Sequence, residues 1–312
     1  MVKVTGVIPK QKSMYGKIYK IPSKEVDVEK WDQALYQMKC FRPEASTAFL
    51  GSITHWDALI MEDYSAFMPL TYRQQFFWKK YVQPIWAQQL GVFEENPGEL
   101  LPVFIEFLVK KQIRFHLHFH EKTDLRLIPG TWKVIERPNF ILSLDKSYAV
   151  LYKNFSNHTR RHIKKCLMQN FQLNWVESSE EKIPAHVWEI LKLKIHYNDL
   201  RKLKKWVFHQ NLKKNIKWAF IYDNGVLSGV GIFGFYPQRI IYHAGVMKHQ
   251  TRQKGGFYFL FNQLIEQYSC HDLLLDFEGS KIPGVARFFA GFGSHNQPFF
   301  LKLLIKSKDI IE

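Results

Sequence analysis

Two carboxylates near the end of a predicted strand have the spacing that proton-transfer chemistry needs. Asp276 and Glu278 lie two residues apart in the tract 273–280, so in an extended chain their side chains share one face while Phe277 faces the other. A carboxylate beside an ammonium group can take its proton, directly or through water, and thereby prepare the amine to attack a carbonyl carbon. The alternative is a capping or solvated pair, which is the more frequent role of such residues.

A basic, glycine-containing loop precedes a predicted helix. Its residues run Arg252, Gln253, Lys254, Gly255 and Gly256. Backbone N–H groups in such a loop, together with the helix N-terminus, can hold a pyrophosphate, and the two cations would add attraction. The alternative is a flexible basic turn that needs glycine for its own conformation.

Cations also cluster on a predicted helix that follows Ser156. Arg160 and Lys164 are four residues apart, as are Arg161 and Lys165, so like charges stack on the helix surface and repel. An anionic ligand, either a phosphate or RNA, would relieve this repulsion. The alternative is an ordinary solvated face, and no base-reading motif favours DNA as a partner.

Other chemical motifs are weak or missing. His116, His118 and His120 alternate with apolar residues, which places three imidazoles on one strand face, but one strand rarely supplies three ligands to one metal. We therefore expect the polar face of an amphipathic strand and no metal. The motifs GxSxG, GxxxxGK[ST] and CxxC do not occur in the sequence, which disfavours α/β-hydrolase, P-loop and thiol-redox chemistry.

Hydrophobic spacing predicts the elements that must position these residues. Strict alternation indicates strands, apolar residues at helical spacing indicate helices, and Asn-Gly or Pro pairs indicate turns. Three consecutive strands in the second half are expected to form an antiparallel meander. The predicted elements are a helix at 99–112, a strand at 114–120, helices at 156–168 and 185–205, strands at 218–222, 226–235 and 239–246, a helix at 257–268, a strand at 273–277, a helix at 283–290 and a strand at 299–305.

The length of the chain indicates how many domains it forms, and its charge indicates which partners it attracts. A chain of 312 residues with 46% apolar content is expected to form two domains, and we place them at 1–145 and 146–312. The net charge is +16, and 151–217 alone holds 15 Lys or Arg against 5 Asp or Glu. A surplus of this size attracts anionic ligands, RNA or an anionic membrane surface.

The cellular location follows from the cysteines and from apolar runs. Cys40, Cys166 and Cys270 are far apart and lack metal-ligand spacing, which is typical of free thiols in a reducing compartment. The best apolar run, 100–109, is interrupted by Pro102 and Glu106 and is too short to cross a bilayer. With no secretion signal recognised at the N-terminus, we expect a cytoplasmic protein that contacts membranes at most peripherally.

The order of elements in the second half resembles the GNAT acyltransferase fold. In that family three strands precede a loop of pattern Q/R-x-x-G-x-G/A, which holds the pyrophosphate of coenzyme A, and a helix, strand, helix and strand follow. Arg252, Gly255 and Gly256 match the loop, and Phe257 stands at its last small position. The resemblance implies an α+β protein of two GNAT-like domains, each a mostly antiparallel twisted sheet flanked by helices. It also implies acyl-coenzyme A as the donor, with Lys254 assisting.

A closer resemblance is to the Fem-type peptidoglycan-bridge aminoacyltransferases, which are tandem GNAT proteins. The tract 276–280 is followed by a pattern similar to that family's G-x-x-x-F-K-x-x-F-G, with Phe289 where the lysine would stand. Segments 56–70, 88–93 and 152–165 also resemble the family, so the likeness covers most of the chain. The matching residues of the pattern are Gly284, Phe288, Phe292 and Gly293.

The resemblance implies an N-acyltransferase or aminoacyltransferase that moves an acyl group from acyl-coenzyme A, or from an aminoacyl-tRNA, to an amine acceptor. That acceptor would be a small molecule or a peptidoglycan precursor, in cell-envelope synthesis. Asp276 or Glu278 would deprotonate the amine, and a backbone N–H near Gly245 or Val246 would bind the oxyanion. The residues expected to contact the acceptor are Arg160, Lys164, Tyr242 and Ser280. A second hypothesis is a non-catalytic GNAT-fold module that binds RNA, a nucleotide or an anionic membrane surface through 151–217.

Overall fold

The structure is a computed structural model that describes residues 16–96, 98–113, 115–124, 132–279 and 282–305. The chain divides into two compact units. The first consists of the residues up to Arg137 together with those from Pro298 onward, and the second spans Pro138–Gln297. No helix within the described ranges is long and apolar enough to cross a membrane.

Both units contain helices and strands. The helices are α1 (Val28–Gln37), α2 (Thr47–Ile53), α3 (Leu101–Lys110), α4 (Tyr148–Asn154), α5 (Asn157–Leu167), α6 (Ala185–Lys192), α7 (Tyr197–Val207), α8 (His249–Gln253), α9 (Gly256–Tyr268) and α10 (Pro283–Ala290). The strands are β1 (Tyr19–Pro22), β2 (His55–Ile60), β3 (Ala66–Gln75), β4 (Trp78–Val82), β5 (Phe93–Glu94), β6 (Phe115–His116), β7 (His118–Phe119), β8 (Trp132–Arg137), β9 (Phe140–Ser143), β10 (Phe171–Glu177), β11 (Ile216–Asp223), β12 (Val226–Tyr236), β13 (Arg239–Met247), β14 (Leu274–Asp276), β15 (His295–Asn296) and β16 (Phe299–Ile305). Short 3-10 helices lie at Ser23–Glu25, Pro43–Ala45, Glu62–Tyr64, Glu180–Lys182 and Lys213–Asn215.

The first unit is built on a sheet with strand order β1-β2-β3-β4-β6, and β5 pairs with β3. All of these pairs are antiparallel except β4 with β6, which is parallel. The buried face of α3, including Phe104 and Leu108, packs with apolar residues of β2 and β3 such as Leu59 and Met68. The helix predicted over 99–112 is confirmed.

A smaller sheet of the first unit has the order β7-β16-β8. In it the C-terminal strand β16 pairs antiparallel with β8, from Phe299 opposite Arg137 to Ile305 opposite Trp132. The predicted domain bounds, 1–145 and 146–312, differ from the compact units here and at β9, which belongs to the second unit. Alternation predicts that 299–305 is a strand, but it carries no information about the strand's partner.

The second unit contains a sheet of order β10-β11-β12-β13-β14-β9-β15. Strands β10 to β13 form an antiparallel meander, β14 runs parallel to β13, and β9 is antiparallel to β14. The meander predicted from the sequence and the mixed α+β class are therefore confirmed. Helix α5 packs on α9, and Phe261 of α9 lies in an aromatic core with Phe277, Phe289 and Phe292.

Two predicted elements are divided in the structure. The basic region 185–205 forms two helices, α6 and α7, and the predicted strand 114–120 is interrupted at Leu117 between β6 and β7. His120 follows β7 and is buried, so the polar-face prediction is wrong for this residue. His120 is 2% exposed, its Nε2 donates to the Val92 carbonyl (2.7 Å), and burial lowers its pKa. No group of three His, Cys, Asp or Glu side chains suited to a metal occurs within the described ranges.

Candidate active site at a splayed pair of strands

Strands β13 and β14 pair over only a short stretch and then separate. The register joins Arg239 to Leu274 and ends with Ile241 opposite Asp276, whereas β13 continues to Met247. β13 lies inside the sheet, between β12 and β14. Its second half therefore has no hydrogen-bonded neighbour on the β14 side. Residues 242–245 are accordingly only half-buried, although β13 has strands on both sides in the sheet order. The splay leaves a crevice in the middle of the sheet.

A β-bulge lies at the start of this crevice. Ile232 pairs with Ala244 and Phe233 pairs with Tyr242, so His243 is the extra residue on β13. Its side chain is only 2% exposed, while the residue as a whole is half-buried, and the exposed part is therefore its main chain. Bulges re-aim side chains and are common next to active sites. Sequence reasoning missed His243, for which the one signal was a histidine inside an otherwise apolar strand.

The two predicted carboxylates have different environments. Asp276 is fully buried. One of its oxygens accepts from Arg239 Nη1 (2.7 Å), and the other accepts from the backbone N–H of Glu278 (2.9 Å). These contacts make Asp276 a structural partner of Arg239 and hold the backbone on which Glu278 is carried. Arg239 was not identified from the sequence, since it lies on a different strand from Asp276.

Glu278 lies just beyond β14, where the strand geometry ends. Phe277 and Glu278 together oppose the single residue Phe140 of β9, because the Phe277 N–H donates to the Phe140 carbonyl and the Phe140 N–H donates to the Glu278 carbonyl. Glu278 has φ +57°, a conformation that is uncommon for residues other than glycine and that persists only where the surrounding structure holds it. The predicted sharing of one strand face by the two carboxylates therefore does not hold.

Glu278 lies beside the bulge. Its side chain is 20% exposed, and its Oε1 lies 3.9 Å from Nδ1 of His243. Burial raises the pKa of the Tyr242 phenol, and the nearby Glu278 charge raises it further. The phenol therefore stays protonated at neutral pH and can donate a hydrogen bond. The structure thus brings Glu278 close to His243, and the Glu278 charge also acts on Tyr242, the neighbour of His243 on β13.

The direction of the β13 amides distinguishes the two predicted oxyanion donors. The Lys248 N–H donates to the Ser228 carbonyl (2.8 Å), and the register runs on unshifted to the pair of Val246 with Val230. Hydrogen-bonded pairs alternate with non-hydrogen-bonded pairs in an antiparallel ladder. The Val246 N–H is therefore directed toward β12, whereas the Gly245 N–H is directed toward the splay.

Gly245 also needs to be a glycine for steric reasons. A Cβ at this position would lie 2.2 Å from the Tyr242 hydroxyl and 3.1 Å from Phe257. The absence of a side chain lets the phenol lie across the main chain at the crevice.

The predicted phosphate loop is largely helical. Arg252 lies in α8 and is exposed, and Nζ of Lys254 binds both oxygens of Asp223 (3.0 and 2.9 Å). Gly256 opens α9, and a Cβ on it would lie 2.7 Å from Sδ of Met247. Packing against Met247 therefore accounts for Gly256, and the ammonium group of Lys254 is paired with Asp223.

The start of α9 nevertheless lies in a positive field. Tyr258 in its first turn stacks on His162 of α5, with ring centroids 4.6 Å apart. The pKa of His162 is lowered, first by burial and then by the positive charges of His158, Lys165 and Arg161. Burial disfavours charge of either sign, but the neighbouring positive charges favour an anion, and the α9 N-terminus adds its own partial charge.

Two of the remaining predicted contact residues, Arg160 and Lys164, lie on α5, far from the carboxylates in the chain. Ser156 caps the N-terminus of α5, since its Oγ accepts from the Thr159 N–H (3.1 Å). Arg160 of α5 donates to the Lys153 carbonyl (3.1 Å), and Lys164 is exposed on the same helix. Ser280 lies outside the described residues.

Gly255 allows a direct test of why the loop contains glycine. It has φ +95°, and a Cβ would lie 3.1 Å from Cβ of Cys166. We expect Gly255→Ala to destabilise the second unit by about 1–2 kcal/mol, since a left-handed conformation is unfavourable for alanine. The measurement is chemical denaturation followed by circular dichroism.

The matched control for this prediction is Gly284→Ala. Gly284 lies in α10, and no heavy atom would lie within 4 Å of a Cβ added to it, so alanine is expected to stabilise that helix slightly. Equal stability of the Gly255→Ala variant and the wild type would show that packing against α5 does not require the glycine.

Comparison with known proteins identifies similar folds. No protein-family model matches the sequence, and no curated protein matches it. Solved structures match over nearly the whole chain. FemX has TM-score 0.65 at 8% identity, covering 92% of this chain and 97% of that chain.

Two further structures show the same architecture. A tandem GNAT protein from the clavulanic acid biosynthesis pathway has TM-score 0.54 at 13% identity, covering 92% of this chain and 98% of that chain. The C-terminal domain of a putative lysylphosphatidylglycerol synthetase from Agrobacterium fabrum has TM-score 0.52 at 12% identity, covering 91% and 93%. Likenesses at this level of identity establish a shared fold.

Proposed function

We propose that this chain, which has the Fem-like tandem GNAT fold, transfers an acyl or aminoacyl group from a phosphate-bearing thioester or ester donor to an amine. The observation that carries the proposal is the splay of β13 and β14, which exposes the main chain of 242–245 next to Glu278. An acyl donor needs an extended slot with backbone donors, and an amine needs a base at the end of that slot.

Glu278 is the proposed base. The attacking ammonium group gives one proton to the Glu278 carboxylate, and the neutral amine then adds to the donor's carbonyl carbon. His243, with Nδ1 3.9 Å from Oε1 of Glu278, is positioned to receive that proton or to orient the carboxylate. Asp276 is a positioning residue, because its oxygens are engaged by Arg239 and by the Glu278 N–H.

Groups on β13 complete the reaction. The Gly245 N–H is directed into the splay and can donate to the oxyanion that forms on the carbonyl. When the tetrahedral intermediate collapses, the bond to the thiolate or alkoxide breaks and the amide forms, and the second proton that the nitrogen must lose passes to the leaving group through the Tyr242 hydroxyl. Tyr242, whose pKa is raised by burial and by Glu278, is the proposed donor of the proton that the leaving group takes.

The start of α9, with its positive surroundings, is the proposed binding site for the donor's phosphates. His162, Arg161 and Lys165 contribute to it, and Arg252 is exposed on the preceding helix α8. Coenzyme A and the end of an aminoacyl-tRNA both carry such phosphates, and both remain candidate donors. No metal takes part in the proposed steps.

The acceptor is proposed as an amine on a small molecule or on a peptidoglycan precursor, from the resemblance to Fem-type enzymes. Arg160 and Lys164 on α5 would contact an anionic group of that acceptor. Structures that share the fold include one from clavulanic acid biosynthesis and one lysylphosphatidylglycerol synthetase domain. Since their names point to different pathways, the fold by itself does not choose the acceptor.

Donor binding provides the first test. We expect coenzyme A or acetyl-coenzyme A to bind with micromolar affinity that survives moderate salt, measured by calorimetric titration. The variant Gly245→Ala should weaken binding at least about tenfold, since its Cβ would lie 2.2 Å from the Tyr242 hydroxyl and force the ring toward the slot.

Gly284→Ala is again the control, and melting temperatures would confirm that both variants are folded. If coenzyme A does not bind but an aminoacyl-tRNA does, the donor is the tRNA-linked one. If neither binds, or if moderate salt removes all binding, the transferase proposal fails and the non-catalytic module is favoured.

A further inference from the structure

The hairpin that joins β3 to β4 ends in a fully exposed aromatic tip. Phe76 is 94% exposed, Phe77 is 103% exposed and Trp78 is 67% exposed. Isolated apolar residues on a surface are common, but three consecutive large aromatic side chains in water are costly and mark interaction sites.

The turn itself is unfavourable for the residues that form it. Gln75 pairs with Trp78, so Phe76 and Phe77 form a two-residue turn, and Phe76 has φ +49°. Asparagine or glycine is the usual residue at such a position, and a bulky residue there is strained. The turn is nonetheless closed, because the Gln74 side-chain amide donates to the Phe76 carbonyl (2.8 Å). Local folding does not explain the two phenylalanines.

The base of the hairpin is cationic. Between Tyr72 and Tyr81 the sequence holds Arg73, Lys79 and Lys80 and no acidic residue. Nζ of Lys79 binds Asp57 (2.7 and 2.8 Å), so Arg73 and Lys80 are the cations that extend the basic character toward the tip.

We propose that the hairpin 73–80 docks this protein on an anionic lipid bilayer. The aromatic tip of Phe76, Phe77 and Trp78 enters the interface between headgroups and acyl chains, where aromatic side chains are favoured. Arg73 and Lys80 contact the lipid phosphates, and their attraction to such a surface falls as salt is added.

The shape and hydrogen bonding of the tip favour a bilayer over a folded partner. A convex tip of consecutive aromatic residues fits a deformable interface, whereas a protein partner would need a matching pocket. The main chain pairs across the hairpin and the Phe76 carbonyl accepts from Gln74, so little unsatisfied backbone would enter the apolar region. The proposal concerns where the protein acts and does not depend on the proposed reaction.

Vesicle binding tests the proposal with the full chain. Wild type is expected to sediment with vesicles that contain phosphatidylglycerol and phosphatidylcholine, and to do so far less with pure phosphatidylcholine. The triple variant Phe76→Ser/Phe77→Ser/Trp78→Ser should bind at least about tenfold more weakly at equal salt, since it loses the apolar area that enters the interface. The variant Arg73→Gln/Lys80→Gln should bind the anionic vesicles more weakly than wild type, whereas its binding to pure phosphatidylcholine should not change.

The matched control is Leu167→Ser/Met168→Ser, which removes an apolar pair that is 52% and 85% exposed at the end of α5. This variant is expected to bind vesicles as wild type does, and circular dichroism would confirm that all variants fold. Unchanged vesicle binding by the triple aromatic variant would overturn the proposal. It would also be overturned if wild type ignored vesicles and formed a dimer that the triple variant lacks, or bound single-stranded RNA through these aromatic residues.

Discussion

Replacing Glu278 with glutamine is expected to lower kcat of acyl transfer by about 10²–10⁴-fold, the usual contribution of a general base. Glutamine has nearly the same shape and cannot accept the ammonium proton. The φ of +57° at this position is equally unfavourable for both residues, so the stability should change little. Turnover would be followed as transfer of a labelled acyl group from the donor that calorimetry identifies.

The control for this change is Glu266→Gln, the same substitution on the exposed side of α9. It is expected to leave kcat within about twofold of wild type, since Glu266 lies outside the proposed steps. Donor affinity should be the same in the Glu278→Gln variant as in wild type, because the phosphates bind elsewhere. A Glu278→Gln variant that turns over at the normal rate would remove Glu278 from the mechanism.

The second large effect is expected at Asp276, and it should appear as a loss of stability. Asp276→Asn leaves Arg239, whose side chain is 16% exposed, without its buried carboxylate. Breaking a buried ion pair by removing one partner costs about 3–5 kcal/mol, and the partial exposure of Arg239 favours the lower end. A loss of about 3 kcal/mol would lower Tm by about 6–12 °C for a unit of this size.

Two further variants separate this structural role from catalysis. Asp272→Asn, an exposed change just before β14, should leave Tm unchanged. The double variant Arg239→Met/Asp276→Leu removes both charges and should recover much of the lost stability, since an apolar pair avoids the cost of an unpaired buried charge. If Asp276→Asn kept its Tm but lost turnover, Asp276 would be the base and our assignment to Glu278 would be wrong.

Hydrophobic alternation predicted the sheet but not the backbone conformation at Glu278. Alternation in β11, β12 and β13 was sufficient to predict the meander, because each strand has its own hydrophobic pattern and a clear turn. The same rule wrongly placed both carboxylates on one strand face, because it extends the strand from Asp276 through Glu278. In the structure the strand ends at Asp276 and Glu278 has a left-handed backbone.

Long-range partners account for most of what sequence reasoning missed. Arg239 and Asp276 are 37 positions apart, and nothing local in either strand indicates their pairing. The bulge at His243 is a register shift between β12 and β13, and a register depends on both strands at once. The steric need for Gly256 arises from Met247 on β13, whereas the motif suggested only phosphate binding.

The position of β16 in the chain has a consequence for how the protein folds during synthesis. The first unit is discontinuous, because β16 pairs with β8 across the whole intervening sequence of the second unit. Contacts at such sequence separation form slowly, since a long loop must close before they are made. As the ribosome delivers the chain from its N-terminus, the second unit can complete its core before β16 emerges. The small sheet of the first unit would then be the last to assemble, and β8 would remain an open edge for other chains until that moment.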